Sequence, residues 1–336
     1  MTGQCVEGVA VDDETIDRLL DPLRLMVAVE QVHVDLHRGI VVNPVAADIA
    51  VPGTQAAVHP MLAVSAIDGV CVAKIMTDSP ERANRGAPRQ LSTILVTDLD
   101  SGRVRAILAG GRVTAARTAA ASAVASSHLA SAGARVLGGI GAGRLAFEHV
   151  RFLTARIESL DTVVVWTRSA QRTREFAGAV GDFGCDVQVV DGPAELCRRA
   201  DIVCTLTPSP TPILRGEWLR AGTHLNVVGA PPRLDHREVD AEALRRSRVI
   251  VDDVATARTT SGAVVAALRH GVVDLDDVGT DLGAVISGDA IGRTGDDEIT
   301  MFVSVGLGAQ DLAAVRVLLD LDLDLETVTT APARPR

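Results

Sequence analysis

The chain has 336 residues, 47% of them apolar, and a formal net charge of −10 at neutral pH. Single cores rarely grow beyond roughly 250 to 300 residues, so two domains are expected, with enough apolar content for a sizeable core. The acidic balance and the lack of any basic stripe with interleaved aromatics exclude a nucleic-acid surface, and no apolar run approaches the roughly 20 residues that span a bilayer. Met1–Asp13 has no basic segment followed by an apolar core, so the expectation is a soluble cytoplasmic chain that does not engage membranes.

Aromatics are scarce: five Phe, two Trp and no Tyr, so packing rests on Ala, Val and Leu and no tyrosine can act as a proton donor. The five cysteines, Cys5, Cys71, Cys185, Cys197 and Cys204, are scattered without a CxxC and read as buried thiols. His33 and His37 are the only close histidine pair and read as one helix face without an acidic partner, so no metal site is expected.

Along the chain, residues 12–38 read as one amphipathic helix, with Ile16, Leu19, Leu20, Leu23, Val27, Val32 and Leu36 near helical spacing. Extended segments follow around 48–51, 70–77 and 91–98, and the Asp100-Ser101-Gly102 turn leads into Val104–Leu108 as a hairpin. Thr114–Ala130 is an alanine-rich helix long enough to bridge two domains. From Arg135 the rhythm becomes strict alternation, with strands at 135–140, 162–166, 186–190, 201–206, 224–228 and 248–251 separated by helices. That pattern predicts a doubly wound parallel sheet, an α/β fold of the Rossmann type. A further apolar segment, Glu298–Ser304, precedes a helix from Gln310 to Leu319 that returns to the first domain, and the 331–336 tail is expected to be disordered.

All but one of the 33 basic residues are arginine, and the one lysine, Lys74, lies in the apolar strand Val72-Ala73-Lys74-Ile75-Met76. Arginine holds its proton, whereas burial and neighbours tune an ammonium to donate or accept one. Lys74 is therefore the candidate catalytic amine, the alternative being a snorkelling side chain. Gly141-Ala142-Gly143-Arg144-Leu145-Ala146 follows a strand and opens a helix, so its backbone can approach a pyrophosphate at the helix N-terminus. At the end of the next strand, where NAD sites carry an acid, Thr167-Arg168-Ser169 offers none. Arg168 facing a 2′-phosphate makes NADP(H) the favoured cofactor over NAD(H), the alternative being a solvated turn arginine. Arg117 stands near the start of a small-residue helix, where an anion is stabilised by the guanidinium and the helix end.

Taken together, Lys74-Ile75-Met76, Asn84–Pro88, Arg117-Thr118-Ala119-Ala120, the glycine loop, Thr223-His224-Leu225-Asn226, Asp252-Asp253, Ser261-Gly262, Gly292-Arg293 and Glu298–Phe302 resemble, in order and spacing, the ornithine cyclodeaminase and mu-crystallin family across nearly the whole chain. The resemblance implies a Rossmann domain, residues 126–305, inserted into a smaller α+β substrate and dimerisation domain, residues 1–125 plus 306–336, and a homodimer. It implies that Lys74 lies beside an amino- or imino-acid substrate, that Arg117 binds its carboxylate near the nicotinamide, and that Thr93, Thr207, Val228, Gly229 and Ser304 contact the cofactor.

Two departures bear on activity. Many members carry a substrate-binding arginine after a proline before the second strand, where this chain has Pro44-Val45-Ala46, so Arg85 or Arg89 would have to supply the anchor. Cyclodeaminases and the family's alanine dehydrogenases carry an aspartate at the strand-end position held here by Pro231, and the longer following loop does not hand that role to Asp235. The ketimine reductase branch also lacks the aspartate. The expected activity is therefore NADPH-dependent reduction of a C=N bond beside a carboxylate. The alternatives are an amino-acid cyclodeaminase or dehydrogenase with a rearranged site, and a non-catalytic NADP-dependent binding protein.

Overall fold

A computed structural model describes residues 8–45 and 48–320. The thiol expected at Cys5 and the disorder expected over 331–336 fall outside those residues. The first sheet contains β1 (Val9–Val11), β2 (Val41–Val42), β3 (Ile49–Ala50), β4 (Ala57–Ser65), β5 (Val70–Asp78), β6 (Gln90–Asp98) and β7 (Val104–Ala109). Its order is β1-β7-β6-β5-β4-β2, with β3 also on β4. In β5 every second residue from Val70 to Asp78 is buried, and this period of two sets Lys74 on the same face as Val70, Val72 and Met76.

The sequence reading misses β4, whose Pro60 argues against a strand. The tertiary pairing explains it. On its outer side β4 is paired only near its ends, by β3 at Ala57–Val58 and β2 at Val64–Ser65, so the middle behaves as an edge that tolerates proline. The single helix expected over 12–38 is two, Asp13–Leu19 and Pro22–His37. Asp21 accepts from Arg24 N at 2.9 Å as the second helix's cap, and Pro22 fits its first turn but cannot continue the preceding one.

The second sheet contains β8 (Val136–Ile140), β9 (Thr162–Trp166), β10 (Asp186–Val189), β11 (Ile202–Thr205), β12 (His224–Val227), β13 (Ser247–Val251), β14 (Thr280–Asp281) and β15 (Ile299–Val303). All are parallel, in the order β10-β9-β8-β11-β12-β15-β13-β14. The expected α/β Rossmann architecture is present, and the strand order reverses between β8 and β11, the crevice where such sheets bind ligands. The late strand β15 slots between β12 and β13.

The Gly110–Leu129 helix packs against β6 on one side and β12 and β15 on the other, so it stands between the two sheets. Asn226 on β12 donates to Ser126 Oγ of that helix at 2.9 Å. The Gly308–Asp320 helix packs on the Pro22–His37 helix and on β4, returning the chain to the first sheet. The face of His33 and His37 does have an acidic neighbour, because folding brings Asp281 within 3.2 Å of His37 Nδ1. Cys197 and Cys204 are buried free thiols, whereas Cys71 and Cys185 are only half-buried. Among the described residues no helix is long and apolar enough to cross a membrane.

Candidate active site

Lys74 is fully buried and Arg117 is 2% exposed. They meet through a residue the sequence reading does not name. Asp311, on the first turn of the Gly308–Asp320 helix, lies 2.8 Å from Lys74 Nζ and 3.2 Å from Arg117 Nε. The better-aligned Lys74 hydrogen bond runs to the other carboxylate oxygen at 3.1 Å, and Thr114 Oγ1 stands 3.5 Å from Nζ. Arg117 Nη1 donates to Gln310 Oε1. Two cations and one anion thus share a buried site, and the trio presents a net positive charge to a ligand. Burial, reinforced by the Arg117 charge, pushes the Lys74 ammonium down to about 8, while Asp311 pulls the other way. A sequence signal for Asp311 existed: Gln310-Asp311 is the one polar pair of adjacent residues in a helix whose other polar side chains are Arg316 and the terminal Asp320.

Gly306, in the left-handed region at φ 83°, turns the chain from β15 into this helix, and a Cβ there would lie 3.0 Å from the Arg117 guanidinium. Its N–H donates to Asp252 at 2.8 Å, and Ser304 Oγ donates to the same carboxylate oxygen at 2.9 Å. Burial pushes Asp252 up to about 6, against the hydrogen bonds from Gly306 and Ser304.

A groove of about 540 Å³ runs along the carboxyl ends of β8, β9 and β11. Gly141, Ala142, Gly143, Thr167, Arg168, Ser169 and Thr207 all line it, as does Arg172, which the sequence reading omits. Gly141 adopts φ 127°, and a Cβ would meet Leu206 O at 2.8 Å, so only glycine keeps this turn open to a pyrophosphate. Arg168 and Arg172 form no ion pair among the described residues. Thr167 Oγ1 accepts from Ser169 N at 3.0 Å and fixes the turn that presents them. The cradle fits a dinucleotide: open glycines at a helix N-terminus, then two unpaired guanidiniums and no acid where the ribose would lie. Arg144 opens the helix after the glycines, and its side chain pairs with Asp17 at 3.0 Å and Glu148 at 3.3 Å.

Glu238, also absent from the sequence reading, ties this groove together. It accepts from Thr205 Oγ1 (2.9 Å), Thr207 N (2.6 Å), Thr207 Oγ1 (2.8 Å), Gly229 N (2.7 Å) and Ala230 N (3.1 Å). Burial pushes it up to about 7 against those bonds. Gly229 is required because a Cβ would fall 2.1 Å from Thr207 N. Val228 and Ser304 are buried at neighbouring strand ends.

Thr93 does not join either group. It is paired with Ile75 and exposed, on the face of the sheet opposite Lys74. Neither arginine considered for the missing anchor fills it: Arg89 grips buried Asp78 through two bonds at 2.6 and 2.8 Å, and Arg85 ends the short Pro80–Asn84 helix in solvent. Asp235 is turned outward to His236 (2.9 Å) and Arg233 (3.3 Å), so it does not stand in for the acid missing at Pro231.

The sequence profile described as "Ornithine cyclodeaminase/mu-crystallin family" matches residues 11–324. The rat (Rattus norvegicus) ketimine reductase mu-crystallin is 32% identical over 311 residues, covering 92% of this chain and 95% of that protein. The structure of Thermococcus litoralis Δ1-pyrroline-2-carboxylate reductase with NADH and L-proline superposes with a TM-score of 0.91 at 26% identity, covering 96% of this chain and all of that one. An archaeal alanine dehydrogenase dimer with bound NAD gives a TM-score of 0.87 at 26% identity, over 95% of this chain and 97% of that one. The chain belongs to the ornithine cyclodeaminase/mu-crystallin family.

Proposed function

We propose that this member of the ornithine cyclodeaminase/mu-crystallin family reduces a C=N bond beside a carboxylate, using NADPH in preference to NADH. The observation that carries the reading is the buried set Lys74, Arg117 and Asp311, a tunable amine and a fixed guanidinium oriented by one carboxylate. The reductase names of the rat and Thermococcus relatives support it.

When bound, the reduced nicotinamide supplies the hydride. Arg117 takes the substrate carboxylate on the side not used by Asp311 and Gln310, which fixes the imine carbon. Lys74 holds the proton for the nitrogen. As the carbon gains hydride, the nitrogen takes H⁺ from Nζ, leaving a neutral amine that regains a proton from water. An amine near 8 is charged at neutral pH yet close enough to release its proton, the match general acid catalysis needs. Glu238 holds Thr207 and Gly229 against the cofactor, and Arg168, with Arg172 beside it, meets the 2′-phosphate.

The reading extends to a cytoplasmic homodimer, with 1–125 plus 306–336 as the substrate and dimerisation unit and 126–305 as the cofactor unit. The dimeric archaeal relative supports the pairing. Pro231, with Asp235 turned away, speaks against cyclodeamination. The Lys74–Asp311 pair speaks against a mere ligand carrier. A cofactor-oxidation screen of NADPH and NADH against cyclic imines and mixtures of 2-oxo acids with amines tests the proposal. Turnover of a carboxylate-bearing imine, faster with NADPH, is expected; no turnover of any such imine overturns it.

A further inference from the structure

A second polar pair stands on the same sheet face as Lys74. Met61 pairs directly with Lys74 and His59 with Met76, so His59 is the diagonal neighbour of Lys74 at the usual ~7–8 Å between such positions. His59 is 1% exposed, and its Nδ1 lies 2.5 Å from Asp48 Oδ1. A carboxylate only accepts, so the shared proton sits on Nδ1, and a ring carrying that one proton turns a lone pair outward at Nε2. That Nε2 is buried and has no hydrogen-bond partner among the described residues.

His59 lines a cavity whose other walls include Met61, Pro232, Gly306 and Leu307. Gly306, beside which the Arg117 guanidinium packs, is shared between the cavity wall and the surroundings of the carboxylate anchor. Its walls are mostly apolar, it has no cationic lining residue among those described, and its one charged side chain, Asp48, is a third exposed and already bound to His59. A second carboxylate would meet a lone pair and an anion there. An O–H or uncharged N–H would satisfy the orphaned Nε2 without bringing a charge into an apolar space.

We propose that His59, held by Asp48, is the specificity-determining residue of this site, and that it selects substrates whose tail, remote from the carboxylate, ends in an uncharged hydrogen-bond donor such as a hydroxyl or a carboxamide. The inference rests on the imine-reductase reading and names the substrate class within it.

The test uses the full chain with NADPH, ammonia and a matched set of 2-oxo acids ending in a methyl, a hydroxymethyl, a carboxamide or a carboxylate, comparing wild type with His59→Leu. Titration of the enzyme with the corresponding amino acids gives a readout independent of turnover. A site built to pair a substrate donor rejects the analogue lacking it, so kcat/KM for the hydroxymethyl or carboxamide tail should exceed that for the methyl tail by about tenfold or more, with the carboxylate poorest. His59→Leu should erase that preference, chiefly by raising KM for the donor-tailed imines. The two donor tails distinguish a hydroxyl from an amide site. Indifference of the wild type to the tail, a preference for the carboxylate, or an equal loss on all substrates in His59→Leu would overturn the role of His59 while leaving imine reduction standing. Absence of turnover with every imine would remove both.

Discussion

Asp311 and Lys74 form a fully buried ion pair, 2.8 Å apart, between the last described helix and the central strand of the first sheet. The same carboxylate reaches Arg117, so a helix late in the chain supports the charged form of a lysine in its first quarter against burial and the Arg117 charge. Removing the anion would leave two buried cations facing each other without compensation, a change that usually costs about 3 to 5 kcal/mol.

Lys74→Met should lower kcat by at least the ~10²- to 10⁴-fold ascribed to a positioned acid, with cofactor binding retained. Lys74→Arg should recover little, because the guanidinium does not release its proton and its planar fork does not fit the space of an ammonium. In Asp311→Asn, the partner that raises the lysine's proton affinity is lost, so the pH-rate limb near 8 should move to lower pH. Steady-state pH profiles check this; an arginine variant with near-normal kcat would show that charge alone matters.

NADPH should bind more tightly than NADH, and Arg168→Ala should remove most of the difference. A charge-assisted phosphate contact contributes roughly 1.5 to 3 kcal/mol, or about ten- to a hundredfold in affinity. Because Arg172 lines the same groove, the double variant with Arg172→Ala should finish the effect. Fluorescence titration of both cofactors decides it, and equal affinities in the wild type would return both arginines to the status of solvated groups.

Ornithine or lysine with oxidised cofactor should release little ammonia, whereas pyrroline- or piperideine-carboxylate should drive NADPH oxidation. Pro231 offers no charge to a buried ω-ammonium, and Asp235 is occupied at the surface by Arg233 and His236. Rapid ammonia release from either diamine would mean that another acid serves the site.

Acid should destabilise the fold in a defined window. Burial holds His33 and His149 at about 4 and His224 at about 3, so below 6.5 the unfolded chain takes up protons that the folded chain refuses until those lower values. Stability from these three groups therefore falls as pH drops from about 6.5 toward about 4, by up to ~1.4 kcal/mol per pH unit for each. Glu238 and Asp252, raised to about 7 and about 6, act oppositely, since there the folded chain holds the proton. Urea midpoints measured across that range should decline toward acid, and His149→Gln should flatten the slope.

What the sequence determined by itself was local or repetitive. Six apolar strands alternating with helices specify the doubly wound sheet, because period and turn chemistry are encoded within a few residues of each other. The strand-turn-helix at the glycine loop is legible for the same reason, as is the isolation of Lys74 in an apolar strand. What only the tertiary structure decided involves partners far apart in the chain. Pro60 hid β4, since whether proline is tolerated depends on which edge of the strand is left unpaired. Thr93 stands on the sheet face opposite Lys74, because a one-residue step in a strand reverses a side chain. Asp311 meets Lys74 across 237 residues and Glu238 meets Thr207 across 31, and no local pattern states such distances. Burial makes those pairings consequential, because a charge withdrawn from water must find its counter-charge or hydrogen bonds wherever the fold places them.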